Sequence, residues 1–293
     1  MAQHKENNAL QTVLNDRFGE EISRLLQGVI PLSKHFDKLK YEIPYILQLK
    51  SDKQKFIYFG MDHSKEPSLE ELNMMENLFE EFISNSNKNG SVLALEFLKK
   101  YEADKTGEDK EMRGQKKILN LAKNSGMEVI CPEMHGDDIS SAVLKSKKFT
   151  PVQVASWIFI NSLWGILLAG ISKDAIQKVE ALLSQLKEDF DIISIDEINQ
   201  ELSRSTDLNI RIPMKAGQIE LEDINKEILR KAQSPFQNHG RMNEIGVEMN
   251  YVRELFITAN ILKVLLEGKN LFAVYGANHV VSQEPVFRRY FSK

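Results

Sequence analysis

Phe56-Ile57-Tyr58-Phe59-Gly60-Met61-Asp62-His63 decides the fold, and Asn270-Leu271-Phe272-Ala273-Val274-Tyr275-Gly276-Ala277-Asn278-His279 repeats its pattern. Each is a short apolar and aromatic run followed by Gly-x-x-His. Runs of this length and composition read as buried strands. In each, the glycine falls where the strand should end, which allows a sharp turn or a close backbone approach. The histidine then sits at the strand's carboxyl end, the edge where open α/β sheets bind ligands. The two histidines are 216 positions apart, so only folding can bring them together.

The next apolar run, Ser91-Val92-Leu93-Ala94-Leu95-Glu96, closes on a carboxylate at the equivalent place. Between the first two strands, Ser68 is placed to cap a helix running to about Ser84, with Glu70 and Glu71 favourable in its first turn. A second helix from about Lys110 to Asn124 leads into a third strand, Glu128 to Cys131. Strands alternating with helices at this spacing predict βαβ units and a mainly parallel sheet. Beyond Pro151 the pattern becomes helical, over Pro151 to Ala169, Asp174 to Asp189, Leu221 to Lys231 and Glu244 to Glu267. Ser203 to Gln218 is the least periodic part and reads as a loop. A short helix near Glu284 to Phe291 follows the last strand. The expected organisation is an α/β protein with its mainly parallel central sheet flanked by helices. Residues 1–50 form an N-terminal helical extension. Residues 51–293 form one α/β domain with a helical insertion at about 150–240.

Composition narrows the partners. Hydrophobic residues make up 42% and charged residues 27%, the balance of a globular protein. The net charge of −4 supplies no basic field for nucleic acid. The single cysteine, Cys131, excludes an intrachain disulfide framework and a cysteine-built zinc site. The polar start, Met1 to Asn8, carries no apolar signal-peptide core, and the expectation is a cytoplasmic protein. Trp157 to Ile171 is the most apolar stretch. It contains Asn161 and Ser162 and is shorter than the roughly 20 residues that span a bilayer. It therefore reads as a buried helix, capped by Thr150 with Pro151 in its first turn, and no integral membrane segment is expected.

The residues at the strand ends carry chemistry. His63 and His279 titrate near neutrality and suit general bases or neutral imidazole metal ligands. Glu96 suits a base, a metal ligand or an orienting group. Glu133 and His135 follow the third strand, and a Glu-x-His pair in an extended segment projects both side chains to one face. Asp137 and Asp138 read as the next helix's cap and first turn. Histidines with carboxylates fit a divalent transition metal, manganese, zinc or cobalt, without choosing among them. Asp62 and Asn278 precede the two histidines and suit turn or supporting hydrogen bonds. Arg253 opens the apolar face of a long helix, with Asn250 one turn earlier. A surface pairing of Arg253 with Glu248 or Glu254 is the alternative.

Gly60-x-x-His63, the strand-terminal Glu96, Arg253 at the head of its helix and Gly276-x-x-His279 together resemble the Tiki/TraB superfamily, which also holds the erythromycin esterases and the haem-binding ChaN-like proteins. The resemblance covers roughly residues 55–290. It implies an acidic group soon after the first histidine, for which Glu66 stands. It also implies an arginine at the position of Arg253 that points into the site. By resemblance the expected function is hydrolysis of ester or amide-type bonds in a small-molecule or peptide substrate. His63, with or without Glu96, would activate water, and His279 and Arg253 would position substrate or stabilise developing negative charge. The site could equally activate water with no metal. For a metal the candidate ligands are His63, Glu96 and His279, with Glu133 and His135 added by their place after the third strand rather than by the resemblance. Glu66, Asn250 and Asn278 are the candidates for substrate contact. The alternatives on the same scaffold are a haem- or small-ligand-binding protein, with Tyr58 and Tyr275 on the key strands, and a catalytically inactive interaction protein.

Overall fold

The computed structural model describes residues 2–62, 67–85, 90–96, 113–134, 136–191 and 194–292. Its chain divides into two compact units. One comprises residues 11–30, 39–135 and 253–293, and the other residues 1–10, 31–38 and 136–252. The first helix, α1 (Ala2–Leu25), is interrupted at Gly19, whose φ of 82° lies outside the helical region.

The first unit is built on a five-stranded sheet. Its strands are β1 (Tyr45–Lys50), β2 (Lys55–Met61), β3 (Ser91–Leu95), β4 (Glu128–Ile130) and β7 (Asn270–Gly276), in the order β1-β2-β7-β3-β4. β2, β7, β3 and β4 run parallel, and β1 pairs antiparallel with β2 at one edge. The two quoted stretches are thus neighbours: Gly60 lies opposite Tyr275 and Met61 opposite Gly276. Leu95 lies opposite Val274 on the other flank of β7. All three carboxyl ends share one sheet edge.

Both faces are covered, which is why these strands read as unbroken apolar runs. On one face Ile57, Phe59, Phe272, Val274, Leu93 and Leu95 pack on helix α2 (Leu69–Ser84) and helix α3 (Arg113–Asn124), through Met75, Phe79, Phe82, Ile118 and Leu119. α2 opens on the expected cap: Ser68 accepts from the Glu71 amide and the Glu71 carboxylate accepts from the Ser68 amide. The other face meets the final helix, α10 (Ala277–Phe291), where Phe287 lies against Phe56 and Tyr58. A Cβ on Gly60 would come within 2.8 Å of Ala277 Cα and 2.9 Å of the Tyr45 carbonyl oxygen. Glycine here is a close-approach residue inside β2, and the strand runs one residue past it.

In the sheet unit two expectations need correction. Tyr45–Lys50, assigned to a helical extension, is the edge strand of the sheet. Ile46 joins the apolar cluster beneath α2 and α3 while Leu47, on the opposite face, is buried, so both faces are partly covered and no clean alternation marks the strand. The closing helix begins at Ala277 rather than near Glu284, so His279 lies in its first turn. Pro285 is accommodated inside the helix.

The second unit is mostly helical. It contains α4 (Gly136–Lys145), α5 (Pro151–Leu168), α6 (Lys173–Phe190), α7 (Ile195–Ser205) and α8 (Lys226–Gln233), and a two-stranded hairpin, β5 (Met214–Lys215) with β6 (Gln218–Ile219). This helical part starts at residue 136 rather than about 150. The hairpin falls in the stretch read as a loop. Its turn places Ala216 and Gly217 at positive φ, the geometry that suits a two-residue hairpin. The long helix α9 (Arg241–Leu266) gives residues 241–252 to this unit and residues 253–266 to the sheet unit.

α5 contains the apolar stretch that includes Trp157. Thr150 and Gln153 form its capping box, with Pro151 in the first turn. Among the described residues it is the one helix long and apolar enough, by length and composition, to cross a membrane. Here Val154, Trp157, Phe159, Ile160, Leu163 and Leu167 are buried, with α6, α7 and α8 packed around the helix. The Trp157 indole donates to the Gln233 carbonyl at 3.1 Å.

Candidate functional site

The carboxyl edge of the sheet carries a chain of ionised side chains, all within the sheet unit. Glu96 follows β3, Glu133 follows β4, and His279 stands in the first turn of α10. A fourth element, α9, contributes Arg253 and Glu254. Asn260 of α9 donates to the Pro132 carbonyl at 2.8 Å and so pins the segment that holds Glu133.

Arg253 is the centre. Its Nε donates to Glu133 Oε2 at 2.9 Å and its Nη2 to Glu133 Oε1 at 2.6 Å, a two-pronged fit of planar guanidinium to carboxylate. Nη2 also reaches Glu96 Oε1 at 3.0 Å. The remaining nitrogen, Nη1, faces His279 Nε2 at 3.4 Å. Glu96 Oε2 accepts the Gly276 amide at 3.0 Å. Gly276 is the N-cap of α10 and offers no side chain for capping, so a carboxylate from the neighbouring strand meets the positive end of the helix.

His279 is oriented from behind. Its Nδ1 lies 2.5 Å from Glu254 Oε1, and Glu254 Oε2 accepts from Gln283 Nε2 at 2.7 Å. Tyr58 closes the series, with its hydroxyl 3.2 Å from Gln283 Oε1. Burial is graded. Glu254, Gln283 and Tyr58 have no exposure, while the side chains of Glu133 and Arg253 keep 17% and 25%. The mouth of the site is therefore at the Glu133–Arg253 end.

Electrostatics set the protonation states. Burial works against a charged His279, but the carboxylates of Glu254 and Glu96 outweigh it and push its pKa up to about 10. Burial would raise the pKa of Glu254, yet His279, Arg253 and the Gln283 hydrogen bond hold it below the ordinary carboxylate value. Burial also disfavours the charge on Arg253, and Glu133, Glu96 and Glu254 more than restore it. Burial, then the nearby carboxylates, raise Tyr58 and Tyr275 well above 10, so both are neutral phenols. At neutral pH two cations, Arg253 and His279, thus present N–H donors side by side. A protonated Nε2 donates to Glu96 Oε1, 3.4 Å away, and cannot accept from Arg253.

Of the expected site residues, Glu96, Glu133, Arg253 and His279 come together. His63, Glu66 and His135 lie outside the described residues. Asn250 donates back to the Gly246 carbonyl of its own helix at 2.8 Å. Asn278 accepts from the Tyr41 hydroxyl and is turned towards the segment before β1. Cys131 reaches the Glu96 carbonyl at 3.4 Å. Among the described residues no group of three or more His, Cys, Asp or Glu could hold a metal ion. The described donors fit a divalent ion poorly because Glu96 and Glu133 already close on the guanidinium, and the inner nitrogen of His279 is taken by Glu254. Tyr58 is likewise turned to Gln283 in the interior, away from the role of an iron ligand.

Sequence reasoning missed Glu254 and Gln283. Glu254 reads in the sequence as a surface partner of Arg253. The signal that locates it inside is its phase: three, seven and eleven residues on, Ile257, Ile261 and Leu265 are fully buried. Gln283 lies one turn beyond His279 on the same helix face.

Compared with protein-family models, with curated proteins and with solved structures, the chain matches none.

Proposed function

We propose that this chain hydrolyses ester or amide-type bonds at the sheet edge, with Arg253 and His279 acting as a paired cationic clamp. The observation that carries the reading is the 3.4 Å approach of Arg253 Nη1 to His279 Nε2, two donors held side by side by buried carboxylates. Donors fixed in advance around the point where negative charge develops lower the barrier without reorganising. Glu254 behind the imidazole plays the orienting part that a buried carboxylate plays behind a catalytic histidine. In this reading a water attacks the substrate carbonyl after giving its proton to His63, the group the Gly-x-x-His motif assigns to that task. The oxyanion forms against Arg253 Nη1 and the His279 N–H, and collapses as the leaving oxygen or nitrogen takes the proton back. The resemblance to the Tiki/TraB superfamily supports the same assignment, and no step requires a metal.

A panel of activated esters and short peptides tests it. With any substrate turned over, His279→Ala and Arg253→Lys should each lower kcat by about 10²-fold or more, the loss expected for one oxyanion donor. His63→Ala should abolish turnover. Turnover that survives both His63→Ala and His279→Ala unchanged sinks the hydrolase reading.

A further inference from the structure

We propose that Gln283 is a positioning residue for His279, held in one orientation by Tyr58, and that the series Tyr58–Gln283–Glu254–His279 transmits hydrogen bonds while blocking proton transfer into the interior. This rests on the reading of His279 as a cationic donor at the sheet edge. The orientation of the amide follows from its neighbours. An ionised Glu254 offers only acceptors, so the Gln283 NH2 must face it, at 2.7 Å. Gln283 Oε1 is left for Tyr58, and the hydroxyl 3.2 Å away must donate. Each hydrogen bond in the series therefore has one direction, ending with the Nδ1–H of His279 on Glu254.

A carboxamide neither gains nor loses a proton near neutrality, so it stops transfer where a histidine, acid or water would pass it on. The exchangeable proton of His279 is the one on Nε2, and its way out is toward Glu96 and the exposed end of the site. Among the described residues, the charged and titratable groups around the imidazole are Glu254 and Arg253 from α9, Glu96 after β3 and the edge of Tyr275 from β7, with Glu133 beyond Arg253 and Tyr58 beyond Gln283. Gln283 is the polar neutral side chain that stands between the Glu254 carboxylate and the buried Tyr58 phenol. A residue that merely filled space there would need no amide, and leaving either end unpaired would be costly.

The test uses the full chain and proton NMR. The His279 Nδ1–H, bonded closely to a carboxylate, should give a strongly deshielded resonance, identified by its loss in His279→Gln. In Gln283→Leu, Glu254 loses its second donor and pulls harder on the imidazolium. His279 should then bind its proton about three- to ten-fold more tightly, and the resonance should move. Tyr58→Phe, which keeps the ring, should shift both in the same direction by less. If Gln283→Leu does not fold, Tyr58→Phe decides alone. An unchanged resonance and an unchanged His279 titration midpoint in the folded variants overturn the proposal. The readout needs no substrate. Turnover that survived both His63→Ala and His279→Ala unchanged would sink the hydrolase reading and leave the NMR result standing.

Discussion

Asn243 and His279 are both buried polar hubs, one in each unit, built from opposite chemistry. The Asn243 amide accepts the His239 backbone N–H at 2.6 Å and reaches the carbonyls of Lys231, Ala232 and Ser234 at 2.8 to 3.0 Å. Every partner is backbone, and none titrates. The hub ties the end of α8 and the loop after it to the first turn of α9. His279 instead sits among ionised side chains whose desolvation opposes their attraction. A buried ion cluster is a poor way to add stability, since apolar side chains of the same volume often do as well. Strongly perturbed ionisation in a half-open cluster is what functional sites require. The neutral hub holds structure, and the charged hub holds a protonation state.

The largest effects should come from removing one member of each hub. Glu254→Leu leaves the His279 imidazolium buried without its main partner and should cost about 3–5 kcal/mol in urea unfolding. Asn243→Leu orphans backbone groups and should cost about 1–3 kcal/mol. If the Asn243 variant proves the more damaging, the distinction between the hubs breaks. The next effect is pH dependence. The pKa of His279 is raised from 6.5 to about 10, so its contribution is complete below pH 6.5 and is lost as pH rises towards 10. Glu254 is lowered from 4.5, so its contribution is present above that value and is lost as pH falls through its depressed pKa. Stability from the charged hub should therefore be greatest between the two ordinary values, 4.5 and 6.5, and decline on the alkaline side. Unfolding midpoints across pH should keep that decline in Asn243→Leu and lose most of it in His279→Gln. The smallest effect serves as a control. Thr150→Ala removes the α5 cap at a cost of about 1 kcal/mol and should leave the pH profile unchanged.

Much of the sheet was legible because its strands are covered on both faces and spell continuous apolar runs. Glu96 and His279 were legible for the same reason, as polar residues that close such runs. Arg253 needed the family resemblance. Glu254 escapes the eye because neighbouring positions on a helix usually face different ways. Here both reach His279, Glu254 from the buried side and Arg253 from the half-open one. The β1 edge is hard to see because its apolar run is short, with Gln48 interrupting Tyr45-Ile46-Leu47 and Leu49, and because partial cover on both faces leaves no alternation to read. The position of β7 in the middle of the sheet could not be read at all, since hydrophobic pattern marks a strand but not its neighbours.

The central place of β7 also governs how the chain can be synthesised. On the ribosome β2 and β3 emerge early, yet neither can pair with the other, because the place between them belongs to residues 270–276. Until that segment is made, two apolar strands present unpaired edges, the state most open to wrong partners. The sheet is completed by joining segments more than 170 residues apart, contacts that are slow to find. The strand that carries the second histidine motif is thus also the keystone of assembly. A nascent chain halted before it would have neither a site nor a sheet, and would be a natural client for a chaperone.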